Sequence, residues 1–130
     1  MYKIERKASG FLLTFSGHID AKEMQNWHDE SKLTLSTEKS TSFPVIIDMR
    51  NLEPLPQEAF KLMVEGQKQY KLAGMKRSAV IVNNAATVGQ FKALALQSGI
   101  YATERYFDGR EADATANAIS WARDGVDPDQ

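Results

Sequence analysis

The stretch VIIDMRNLEPLPQEAF, residues 45–60, decides how the chain is read. Val45, Ile46 and Ile47 form a continuous apolar run that ends in the carboxylate of Asp48. Such runs suit strands covered on both faces, as in parallel sheets. The strand is predicted to end at Asp48, with residues 49–55 forming a loop stiffened by Pro54. Pro56 then stands at or near the first position of a helix, where its missing N–H costs nothing. Glu58 falls in the first turn, where free N–H groups and the helix dipole favour negative charge. The segment therefore presents a helix start, an anion on it and the apolar neighbours Leu52 and Leu55.

The same pattern repeats on either side. Ala59, Phe60, Met63, Val64 and Tyr70 follow at helical spacing, which carries this helix over residues 56–73 to a glycine stop at Gly74. SAVIV, residues 78–82, is a second buried strand. Thr87 with Gln90 predicts a capping box for a helix whose stripe is Val88, Phe91, Leu94 and Ala95, stopped by Gly99. A short edge strand is expected within residues 101–107. Asp108 with Glu111 predicts another capping box, for a last helix marked by Ala112, Ala116, Ile119 and Trp121 and ended by Gly125. Towards the N-terminus, residues 2–6 and 11–15 flank the turn Ser9-Gly10 and predict a hairpin. Asp20 caps a helix over residues 21–35 whose stripe is Met24, Trp27 and Ser31, with Glu23 reaching back to the cap.

Strands alternating with helices define an α/β domain. The expected fold is a single-layer, mixed and mostly parallel sheet of four or five strands. It begins with an antiparallel hairpin and is flanked by about four helices. One domain over residues 1–124 and a flexible acidic tail over 125–130 are expected from a chain of 130 residues.

Composition removes several function classes. A net charge of −1 gives no electrostatic case for nucleic acid. With no cysteine, disulfides, thiolate metal sites and a cysteine nucleophile are ruled out, which fits a cytoplasmic chain. No signal peptide is expected from residues 1–10, and no apolar run approaches the ~18 residues of a membrane helix. Neither glycine-rich phosphate-binding motifs nor a G-x-S-x-G elbow occurs. His18, Asp20 and His28 have no metal-ligand spacing, so neither metal nor cofactor is expected. Open α/β sheets bind ligands beyond the carboxyl ends of their strands. Here those ends hold His18, Asp20, Asp48, Arg50, Asn83 and Asn84, residue types that are also ordinary in loops and caps.

Short motifs in order give the chain a family resemblance. Gly17-His18-Ile19-Asp20 ends the hairpin, Val45-Ile46-Ile47-Asp48-Met49 ends the next strand, and Ser98-Gly99 follows a later helix. Over residues 10–121 the chain resembles the STAS domain of bacterial anti-anti-sigma factors, and particularly its SpoIIAA-like branch. The resemblance implies a non-catalytic, regulatory protein-interaction module. Typical members carry a Ser or Thr at the start of the second helix that a partner kinase phosphorylates. The corresponding tetrapeptide here is Pro56-Gln57-Glu58-Ala59, which has no hydroxyl, so the usual phosphoswitch is not expected. Glu58 either imitates a phosphorylated residue or serves as a favoured first-turn residue. An unidentified protein partner would dock on Leu52, Leu55, Pro56, Gln57 and Glu58, and the hairpin edge offers pairing into a homodimer. Wider relatives related to CRAL-TRIO proteins imply the alternative, a carrier or sensor of a small, lipid-like apolar ligand held between helices and sheet. Met24, Trp27, Phe60, Met63 and Phe91 would then line the pocket.

Overall fold

A computed structural model describes residues 1–130, the side chain of Leu94 excepted. Leu94, expected on the stripe of the third long helix, therefore lies outside the described side chains. Strands β1 (Tyr2–Lys7) and β2 (Gly10–Gly17) form the hairpin, in register from Tyr2 opposite Phe15 to Lys7 opposite Gly10. Helix α1 (Ala21–Ser36), strand β3 (Phe43–Leu52), helix α2 (Gln57–Ala73) and strand β4 (Met75–Val82) follow. Helix α3 (Ala85–Ser98), a 3₁₀ turn (Ile100–Ala102), strand β5 (Glu104–Asp108) and helix α4 (Ala114–Asp124) complete the chain. The sheet order is β1-β2-β3-β4-β5, with β2 to β5 parallel.

Every parallel connection steps one strand in the same direction. Right-handed crossovers then place the intervening helices on one face. Met24 and Trp27 of α1, Ala59, Met63 and Tyr70 of α2, and Val88 and Phe91 of α3 all pack on the core of that face. It is built on the inward side of the strands: Phe11, Leu13, Phe15, Val45, Ile47, Val80 and Val82. The opposite face is covered by α4, whose Ala114, Ala118, Trp121 and Ala122 pack on Ala79, Ile81 and Phe107. Residues 78–82 of β4 are accordingly buried on both faces. β3 alternates instead: Val45 and Ile47 are buried, while Ile46 and Asp48 are half-buried.

Several local expectations are corrected. β3 continues four residues past Asp48, to Leu52, because β2 extends beside it and pairs Ser16 with Asn51 and Gly17 with Leu52. The loop before α2 shrinks to residues 53–56. Asp20 does cap α1, accepting from the Glu23 backbone N at 2.8 Å. The Glu23 carboxylate, however, pairs with the N-terminal ammonium at 2.9 Å. Helix α3 starts two residues before Thr87, and Asn84 is its cap, accepting from the Thr87 N–H at 2.8 Å. Asp108 binds Arg110 instead of capping α4, and the buried stripe of α4 runs through Ala114 and Ala118 while Ala112 and Ala116 are exposed. His28, on α1, is half-buried with Nε2 2.6 Å from Gln69 Nε2.

Candidate functional site

Helices α1 and α2 lie close because a glycine faces a ring. Gly66 sits against Trp27, and the Trp27 and Tyr70 rings stack with centroids 6.2 Å apart. The Tyr70 hydroxyl donates to Ser31 Oγ at 2.8 Å, satisfying both groups in the core. On the other side, α3 leans over β5, with Phe91 edge-on to Tyr106 at 5.6 Å. α2 is thus drawn towards one end of the sheet and α3 towards the other. Between them, above β3, β4 and β5, lies an open cleft of about 830 Å³.

The cleft floor is Val80, Val82 and Tyr106. One wall is Phe60, Met63 and Val64 of α2, and the other is Phe91 and Ala95 of α3. Met49, Leu52, Pro54 and Leu55 close the end nearest the start of α2. Polar groups sit at the two ends. Asn83, Thr87 and Glu53 stand where the strands finish, and Glu104 stands where β5 begins.

Glu104 is buried, with 6% of its surface exposed. Its Oε1 accepts from Ser78 Oγ at 2.6 Å and its Oε2 from the Tyr106 hydroxyl at 2.5 Å. Burial and the Glu104 charge push the Tyr106 phenol far above its ordinary range, so it remains a donor.

The residues expected to line a ligand pocket divide. Phe60, Met63 and Phe91 border the cleft. Met24 and Trp27 do not: both are fully buried between α1, the sheet and α2. Among the residues expected to contact a partner, Leu52 and Leu55 are half-buried and line the cleft, while Pro56, Gln57 and Glu58 are exposed and do not line it. Glu104, Tyr106 and Val64 are missed by sequence reasoning; the strand registers that bring Tyr106 beside Val80 are not legible in local pattern.

The polar residues at the strand ends do not converge. Asp20 and Asn84 cap helices. His18 is exposed. Asp48 pairs with Arg50 at 3.0 Å on the α4 face, where Arg50 also donates to Thr115 Oγ1 at 2.8 Å. Asn83 alone of the six borders the cleft.

At the far edge, Arg105 is held by both rings and carboxylates. Its guanidinium lies 3.6 Å from the Tyr101 centroid and 4.3 Å from that of Trp121. Asp127 of the C-terminal segment accepts from its Nε at 3.0 Å and its Nη2 at 3.1 Å.

The architecture is that of a SpoIIAA-like α/β domain, as the sequence resemblance implied. The chain is similar to the crystal structure of an uncharacterized DUF3478-family protein with a SpoIIAA-like fold from Shewanella loihica PV-4. The TM-score is 0.65 at 17% identity, covering 94% of this chain and 92% of that one. No family model and no curated protein matches the chain. Among the described residues no helix is long and apolar enough to cross a membrane.

Proposed function

We propose that this is a non-catalytic cytoplasmic binding domain whose cleft between α2 and α3 takes a small apolar ligand. The observation that carries this reading is the cleft itself, about 830 Å³ and walled by Phe60, Met63, Phe91 and Leu55. That volume lies within the ~300–1,000 Å³ of small-molecule sites, which combine apolar walls with a few placed polar groups. Phe60 strengthens it: the residue is 53% exposed on the cleft border, although a large apolar side chain ordinarily gains from burial. Native mass spectrometry of the protein purified from its own host tests the reading. A mass excess of a few hundred daltons that vanishes on unfolding is expected. A bare mass, together with no binding of an apolar fluorescent probe, would overturn it.

A second reading is favoured by the position of Leu52 and Leu55, which form the cleft end nearest the exposed Pro56, Gln57 and Glu58. In it the domain is a regulatory interaction module, and a protein partner inserts an apolar side chain into this end while its polar groups meet Glu58. Replacing Leu55 and Glu58 together by alanine should abolish partner pull-down with the fold intact; unchanged capture would dismiss the module.

A further inference from the structure

The deep end of the cleft adds a chemical selector. Resting on the apolar-ligand reading above, we infer that the ligand carries a hydrogen-bond-donating cationic head, a protonated amine, and that Glu104 is its counter-ion.

Glu104 lies at the start of β5, and Val82 lies at the end of the neighbouring β4. Ser78 pairs with Glu104 in register, so about four strand residues, roughly 13 Å, separate the carboxylate from the level of Val82. The floor between is apolar, formed by Val80 and Val82 with the Tyr106 ring. A ligand lying along this floor meets hydrocarbon for most of its length and a carboxylate at its end.

That carboxylate is set up to accept. Ser78 and Tyr106 each donate to one of its oxygens. An ionised carboxyl has about four acceptor sites, so two donors leave capacity for a third and a fourth. Among the described residues no cation pairs with it. Its neighbour Arg105 belongs to the opposite face of β5 and is committed to Asp127. A carboxylate buried without a cation is costly, and an incoming ammonium offsets that cost, whereas a second carboxylate adds to it. The same group therefore attracts amines and rejects fatty acids of equal length.

Binding of decylamine, decanol and decanoate to the intact protein, measured by calorimetry at neutral pH, tests this. The expected order is amine, then alcohol, then carboxylate, with roughly tenfold or more between amine and carboxylate. In Glu104→Gln the amine preference should collapse while decanol binding persists. Equal binding of the three, or preference for decanoate, overturns the head-group inference and leaves the apolar cleft standing. An amine preference unchanged in Glu104→Gln removes Glu104 from the role. Binding of none overturns both readings. Should Glu104→Gln fail to fold, as judged by circular dichroism, the wild-type ranking alone decides.

Discussion

Gly66 of α2 lies directly against the indole of Trp27 in α1. A Cβ added at Gly66 would stand 2.1 Å from Trp27 Cζ3 and 2.4 Å from Cη2. This contact sets how closely the helices approach, and therefore how far α2 stands from α3 across the cleft.

Gly66→Ala should accordingly destabilise the domain despite the higher helix propensity of alanine. The propensity gain is about 1 kcal/mol, while overpacking a rigid indole costs roughly 1–3 kcal/mol. Urea denaturation should show a lower midpoint. An unchanged or raised midpoint would mean that Trp27 has room to move, and the cleft would not depend on this contact.

Phe60 and Met63 both border the cleft but differ in burial, at 53% and 3% exposed. Phe60→Ala should leave stability within about 0.5 kcal/mol, as surface substitutions do, and weaken binding of an apolar probe. Met63→Ala should cost roughly 2–5 kcal/mol because it opens a core cavity. Paired melting curves and probe titrations separate the two effects; equal loss of stability in both would show that Phe60 is a core residue.

Burial lifts the Tyr70 phenol from 10.0 to about 12. The unfolded phenol ionises first, so the stability from the neutral folded form is complete below pH 10 and is lost as pH rises towards 12. A shift of this size corresponds to roughly 2–3 kcal/mol. Tyr106 is shifted in the same direction, so Tyr70→Phe should flatten the alkaline decline in part. At neutral pH that variant should lose about 1 kcal/mol, since Ser31 Oγ forfeits its donor. Denaturation midpoints of both proteins between pH 8 and 12 check the slope; parallel curves would remove Tyr70 from it.

The hydrogen bond from Arg105 holds the Asp127 carboxyl below its ordinary value of 3.8. The stability it contributes is present above that value and is lost as pH falls below it. Asp127→Asn should lower the melting temperature at neutral pH, and the difference from wild type should shrink in acid. Faster amide exchange across residues 125–130 should accompany it. A melting temperature and exchange pattern like wild type would show that Arg105 is held by Tyr101 and Trp121 without the tail.

Much of the fold is local chemistry. The apolar run at residues 45–47, the buried run at 78–82, the stripes through Trp27 and Met63, and the stops at Gly74, Gly99 and Gly125, all with positive φ, are written in neighbouring residues. Periodicity and backbone freedom act within a turn or a strand, so they survive reading one residue at a time. The resemblance through Gly17-His18-Ile19-Asp20 and Val45-Ile46-Ile47-Asp48-Met49 rests on the same local pattern, and the SpoIIAA-like fold agrees with it.

The site is legible only in part. Phe60, Met63 and Phe91 carry a helical stripe, which core and cleft linings share, so pattern cannot assign Met24 and Trp27 to one and Phe60 to the other. What separates them is where the helices stand. Gly66 admits α2 to α1, Phe91 ties α3 to Tyr106, and the gap is what remains. Likewise the sequence alone determined that Glu104 and Tyr106 lie in or near a short edge strand. Only the β4–β5 register, set by long-range pairing, turned them to the cleft and put Ser78 Oγ on the Glu104 carboxylate. Local spacing determines which face of an element is apolar; the distance between two such faces is a property of the packed chain.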